Sequence, residues 1–260
     1  MLDLFFANFF NLGSLLQIYP LLWQGLQLTA IVAAVTLPVA IAAGLAIGIL
    51  YSFHLRALNL ALLVYIDLFR SFPVVVLLVL IFYGLPFLGV ELGRFSAVVL
   101  ALALNNSGYY GEIFRAGIEA VPKGQREAAL ALGLRPLHAV VLVILPQAFR
   151  IVVAPLATNS LELIKSTSIA ALVALPELLR SARVAQEQTY NPTPLMAAAL
   201  IFLVLLLPLA RLVGRLERSM LARAQGSAGP RGRPMTASAA GARLRLRPQR
   251  RTLGRKEPLR

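Results

Sequence analysis

The chain sets long apolar stretches between short polar interruptions. No Lys, Arg, Asp or Glu occurs from Leu4 to Phe53. The later apolar runs are also near the roughly 20 residues that a helix needs to cross a bilayer core. The runs are continuous rather than alternating, so they predict helices and not barrel strands, the two structures that satisfy their own backbone groups in lipid. Five spans are predicted, over Leu21–Leu50, Leu58–Leu88, Phe95–Ile113, Pro146–Ile164 and Pro194–Val213. Leu4 to Tyr19 is apolar but short and is punctuated by Pro20, so residues 1–20 read as an interfacial lead-in. Lys165 to Thr193 is mixed around an apolar middle, Ile169 to Leu175, and suits a re-entrant or interfacial segment. The predicted fold class is an all-α integral membrane protein.

Composition sharpens this picture. Hydrophobic residues make up 58% of the chain and charged residues 14%, against about 25% charged in soluble domains. The net charge of +14 first suggests a nucleic-acid partner. However, residues 211–260 hold 14 basic and two acidic residues, a net +12, which leaves the rest near neutral. A basic end beside a span is explained by a cytoplasmic location facing anionic lipid. From Ser219 onward no apolar period is sustained, so residues 217–260 are expected to form a disordered cytoplasmic tail. Met1-Leu2-Asp3 offers no cationic start for a cleavable signal, and the first span is expected to be retained. There is no cysteine, and His54 and His138 lack ligand spacing, so no metal and no cofactor is expected in this chain.

Five spans place the termini on opposite sides. With the tail inside, Arg56, Arg115, Lys123, Arg126 and Arg135 are cytoplasmic, while Arg94, Lys165, Arg180 and Arg183 lie outside. The bias favours N-terminus outside and C-terminus inside. The polar loop Ala116 to Arg135 then faces the cytoplasm. Within it, Pro122 suits a helix start and Gly133 its C-terminal cap, and a second helix can begin at Pro136 after a turn of Leu134 and Arg135. Glu127, Leu130 and Leu134 share one face, and Ala128 and Ala129 allow close approach by another surface.

Glu127-Ala128-Ala129, three residues, Gly133, nine residues, Val143, one residue and Leu145-Pro146 together resemble the EAA signature of permease subunits of ATP-binding-cassette importers. Val143 stands where that family usually has isoleucine. The segments Tyr65 to Pro73 (YIDLFRSFP), Leu104 to Ile118, Leu163 to Ser168 (LIKSTS) and Pro176-Glu177-Leu178 are similar to the polar amino-acid branch, the histidine, glutamine and arginine permeases. Asn106, Tyr110 and Ser166 depart from the usual residues of that branch. The resemblance covers roughly residues 22–216 and implies a MetI-like type I importer fold. It also implies a transmembrane domain over 21–216, with a coupling loop at about 116–145 that docks on a separate ATPase. Pro122, Lys123, Gly124, Glu127, Ala128, Ala129, Gly133 and Pro146 would belong to that loop. The implied partners are two ATPase subunits, a second permease subunit (identical or not) and an extracytoplasmic solute-binding protein. The implied substrate is a polar amino acid. No Gly-x-x-x-x-Gly-Lys-Ser/Thr sequence occurs, which agrees with hydrolysis in another chain and with a transport subunit rather than an enzyme.

Polar groups inside the spans mark a candidate substrate pathway, because a charge at the bilayer centre costs roughly 2.5 to 3.5 kcal/mol on insertion scales. Asp67 and Arg70 are three apart on one helix face, and Glu162 and Lys165 repeat that spacing. Each couple reads either as a structural ion pair or as pathway lining. Ser166, Thr167 and Ser168 add hydroxyls that can solvate a zwitterion. Asn105, Asn106, Ser107, Tyr109 and Tyr110 form a polar belt that either faces the pathway or bonds neighbouring helices. Glu112 and Arg115 mark the cytoplasmic helix end. Pro38, Pro146 and Pro155 are hinges or tolerated prolines. Two rival functions remain at this stage: an ion-coupled carrier using Asp67 or Glu162 without an ATPase, and a nucleic-acid binder anchored in the membrane and acting through the tail.

Overall fold

A computed structural model describes residues 9–227. Helix α1, Leu12–Tyr51, begins at Asn11, whose side chain accepts from Ser14 N, and passes through both Pro20 and Pro38. Residues 12–20 of the expected lead-in are therefore part of the same helix as the first span. Pro20 fails to end it, although a proline in a helix interior removes one backbone bond. Residues 1–8 of the expected lead-in lie outside the described residues.

The predicted second span, Leu58–Leu88, is not a straight helix. Helix α2, Arg56–Ser71, stops before Pro73 because the residue preceding a proline is driven out of helical geometry, and Phe72 is extended (φ −80°, ψ 123°). Helix α3, Val74–Val79, then leads into a π-helical turn, Leu80–Gly84, and a 3-10 turn, Leu85–Leu88. The halves of this pair meet at 97°. Helix α4, Arg94–Glu119, follows, then the short α5, Lys123–Ala131, and α6, Pro136–Ala139. A π-helical turn, Val140–Ile144, joins α6 to α7, Leu145–Ser166, so the fourth span begins near Pro136 rather than at Pro146. A 3-10 turn, Thr167–Val173, precedes α8, Leu178–Thr189, and α9, Thr193–Ser227. Because α9 continues to Ser227, helix replaces the expected disorder over 217–227; residues 228–260 of the tail lie outside the described residues.

By length and composition, three helical runs among the described residues can cross a membrane: Leu12–Tyr51, Pro136–Val173 and Thr193–Met220. The bent α2/α3 pair makes a possible fourth. The remaining predicted span, α4, is about 39 Å long at 1.5 Å per residue, but its polar belt leaves it short of the required apolarity. It is instead enclosed by protein. Val98, Ala101 and Leu102 pack with Val32 of α1 and Leu78 of α3, while Tyr110 and Phe114 pack with Ala40 of α1 and Val152 and Leu156 of α7. At Gly44 a Cβ would strike the Tyr110 Cβ, the Tyr110 carbonyl carbon at 2.7 Å and the Gly111 N at 2.8 Å, so α1 and α4 touch backbone to backbone. A second close approach pairs Gly25 of α1 with Ser181 of α8. There Leu178 N donates to Thr29 Oγ1 at 3.1 Å, and the buried Glu177 carboxylate caps α8 by accepting from Leu179 N and Arg180 N. Burial pushes the Glu177 carboxyl above its ordinary pKa, against the pull of those two N–H groups.

Candidate functional site

The break at Pro73 leaves the last carbonyls of α2 without helical donors, and the polar belt of α4 supplies them. Asn105 Nδ2 donates to Phe69 O at 2.7 Å and to Phe72 O at 3.2 Å. One turn further on, the Tyr109 hydroxyl donates to Arg70 O at 3.2 Å. The belt is therefore partly structural: two side chains four apart on α4 complete the end of α2. Ser107 and Tyr65 bond at 2.7 Å, and Tyr110 bonds Ser160 at 3.0 Å. Replacing Asn105 by Leu is expected to leave two carbonyls unsatisfied, at a cost of about 1–3 kcal/mol. A lowered unfolding midpoint of the detergent-solubilised protein checks this. Asn105→Asp should not rescue it, since a carboxylate has no hydrogen to donate.

A cleft of about 370 Å³ opens beside this seam, within the usual range for small-ligand pockets. The α2/α3 break contributes Arg70 through Val74, α4 contributes Asn105, Asn106 and Tyr109, and α7 contributes Asn159, Glu162 and Ser166. Six predicted pathway residues thus meet: Arg70, Asn105, Asn106, Tyr109, Glu162 and Ser166. Asp67, Lys165, Thr167 and Ser168 do not line the cleft. Thr167 is fully buried and donates to Ile164 O, and Ser168 turns back onto Lys165 O. Asn159 was missed by the sequence reading, yet its amide bonds Asn106 Oδ1 at 3.2 Å. The available signal was an amide inside an apolar helix, the same signal that marked Asn105.

The expected Asp67–Arg70 pair does not form. Both side chains are exposed, and no Asp67–Arg70 ion pair occurs among the described residues. The Arg70 guanidinium instead stacks 5.4 Å from the centre of the Tyr109 ring, and it makes no ion pair within 4 Å among the described residues. Glu162 and Lys165 do pair, at 2.6 Å, with about half or more of each side chain in solvent. An exposed pair of this kind is worth at most about 1 kcal/mol and is easily exchanged for another partner. The cleft therefore offers one cation and one carboxylate to a ligand, separated by amides and hydroxyls.

The second region is the α5 loop. Helix α5 ends in a Schellman motif: Gly133 sits at φ +83°, its N–H donates to Leu130 O, and Leu134 N donates to Ala129 O. Pro122, Lys123, Gly124, Glu127, Ala128, Gly133 and Pro146 are exposed, but Ala129 is buried. The expectation that Ala129 admits an outside surface is corrected, because that close approach is made to the chain's own helices. Leu132, which the sequence reading did not single out, is 84% exposed beside Glu127 and Ala128. A lone carboxylate, a small residue and an uncovered leucine make a compact surface suited to a groove.

Residues 40–222 match the family of binding-protein-dependent transport system inner membrane components. The chain belongs to this family. A probable amino-acid ABC transporter permease protein of Bacillus subtilis (strain 168), YckA, is 33% identical over 74% of this chain and 86% of its own length. The arginine transport system permease protein ArtQ of the same organism is 34% identical over 77% and 93%. A crystal structure of an amino acid ABC transporter with histidines superimposes with TM-score 0.72 and 32% identity, covering 80% of this chain and 98% of that one. As an inner membrane component, the chain is the permease subunit of an ATP-binding-cassette importer, a transport subunit that relies on an ATPase and a binding protein. Membership displaces both rival functions, the self-sufficient carrier and the nucleic-acid binder.

Proposed function

We propose that this permease subunit moves polar amino acids into the cytoplasm and that the cleft between the Pro73 break, α4 and α7 is where the substrate rests. One observation carries the reading: Arg70, in no ion pair within 4 Å among the described residues, and Glu162, held by an exposed lysine, face one cleft of amino-acid size. A zwitterion carries the complementary charges. Its carboxylate would meet Arg70, with planar donors suited to that group, and its ammonium would displace Lys165 from Glu162. Asn105, Asn106, Asn159 and Ser166 then supply neutral hydrogen bonds around the side chain. The names of YckA and ArtQ, an amino-acid and an arginine permease, support the substrate class.

The rest of the assembly belongs to the same proposal. The tail lies inside and the N-terminus outside, following the Lys/Arg bias. Two permease chains, identical or paralogous, meet two ATPase subunits through Lys123, Gly124, Glu127, Ala128, Leu132 and Gly133. A solute-binding protein delivers substrate from the other face. The domain limits, 21–216 with a basic tail from 217, stand on the same footing, and no cofactor or nucleic acid is required of this chain.

Reconstitution of the complete transporter tests the cleft. Arg70→Ala and Glu162→Gln are each expected to lower amino-acid uptake by about tenfold or more, the effect of removing one charged hydrogen bond, while ATP hydrolysis by the complex continues. Full uptake by either variant would remove the cleft from the pathway.

A further inference from the structure

Tyr51 and Ser52, the last residue of α1 and its cap, are gripped by other elements in a way that the sequence does not announce. Arg126 of α5 donates from Nη1 to Ser52 O at 2.7 Å, across 74 residues of chain. Asn59 of α2 donates to Tyr51 O at 3.0 Å. From α4, the Arg115 guanidinium lies 5.3 Å from the centre of the Tyr51 ring and is itself held by Glu112 and Glu119, each at 2.7 Å. Ser52 is buried, and His54 just beyond it adopts a left-handed backbone (φ +56°) that reverses the chain toward α2. A cavity of about 330 Å³ beside the bridge is lined by Tyr51 and Ser52 at the end of α1 and by Pro122, Lys123 and Arg126 at the start of α5.

We infer that Arg126 passes movement of α5 directly to α1. This rests on the proposal above that α5 meets the ATPase. Through the chain, α5 is joined only to α4 and α6. Side chains add two further connections: Gln147 of α7 donates to Gln125 at 3.3 Å, and the Arg126 bridge reaches α1, the longest helix of the described fold. A charged donor to a backbone carbonyl is roughly twice as strong as a neutral bond, and a carbonyl acceptor cannot turn away from its helix as a side chain can. What α1 receives at Ser52 it can deliver far away. Its Gly44 and Gly48 are in backbone contact with α4, and Gly25 and Thr29 are in contact with α8 near its other end. From Ser52 to Gly25 the helix spans about 40 Å at 1.5 Å per residue. Arg126 is thus a positioning residue that links α5 to the outer helices, and it touches no substrate.

The test uses the reconstituted transporter with its ATPase and binding protein, and the quantity read is amino acid moved per ATP hydrolysed. Arg126→Ala is expected to leave the subunits copurifying while transport per ATP falls about tenfold, as for loss of a charge-assisted hydrogen bond. Arg126→Lys, which retains a donor, should recover most of the ratio. An unchanged ratio in Arg126→Ala overturns the inference. A second measurement holds even if that variant does not assemble. Because the chain has no cysteine, Ser52→Cys with Arg126→Cys can be joined by a short thiol-specific cross-linker. If the two sites move together, joined transporter keeps transporting. Loss of transport on joining, restored by cleaving the linker, means that they separate during the cycle, and the inference fails. Failure of the docking proposal itself looks different: Glu127→Arg would then leave both copurification and uptake intact.

Discussion

Glu127→Arg is expected to lower ATP-driven uptake by about 100-fold, because like charges brought together at an interface cost several kcal/mol. Glu127 is the lone acidic residue of α5 and is exposed there, between the exposed Ala128 and Gly124. Nothing in the described fold depends on its carboxylate, as no hydrogen bond or ion pair within the chain uses it among the described contacts. Reversal of its charge should therefore leave the permease folded and monodisperse in detergent while the ATPase no longer copurifies with it. Leu132→Asp should act in the same direction by placing a charge on the most exposed apolar side chain of that surface. Normal copurification in both variants would show that α5 is not the docking element.

The other large effect concerns folding. Gly44→Leu is expected to destabilise the protein by at least about 3 kcal/mol, the upper end of the usual cost of overpacking. The obstruction at Gly44 is the Tyr110 and Gly111 backbone, which cannot swing aside as the end of a side chain can. Relief requires α1 and α4 to separate, and that would also pull Tyr110 from Ser160 and open the packing of Ala40 against Phe114 and Val152. The expected result is a sharp loss of monodisperse protein after detergent extraction and a lower thermal midpoint. Gly124→Leu serves as the control, since a Cβ at Gly124 meets nothing within 4 Å and no such loss should follow.

These two sites also show what was legible in the sequence. Gly133 and Pro122 announced the limits of α5 because caps and helix starts are local chemistry, written within a few residues. The apolar runs announced helices for the same reason. Proline was read less well. Pro20 and Pro73 carry the same local signal, yet α1 continues through one and α2 ends at the other. What differs is the surroundings: Asn105 and Tyr109 of α4 donate to the carbonyls set free near Pro73, and such partners are invisible until the helices are placed. The spacing of Asp67 and Arg70 allowed a pair, but Arg70 found the Tyr109 ring instead. Ala128 and Ala129 are indistinguishable as letters, and only the placement of α5 against the rest of the fold decides that Ala129 is the buried one. The cleft was half readable: its charges and α4 amides stood out against an apolar background, whereas Asn159 and the open seam at Pro73 required the fold.

The seam has a consequence for how the protein is made. Helix α2 alone is about 24 Å long at 1.5 Å per residue, short of the roughly 30 Å hydrocarbon layer, and α3 with its two turns is shorter in residues still. When these halves leave the ribosome, α4 has not yet been synthesised, and the amide that will close the α2 carbonyls does not exist. The break that Pro73 sets locally therefore stays unsealed until Asn105 arrives beside it. Nascent chains truncated before and after residue 105 should differ in how deeply the Phe72 region is shielded from water-soluble probes, which would make the sealing of the bend a late event of biogenesis.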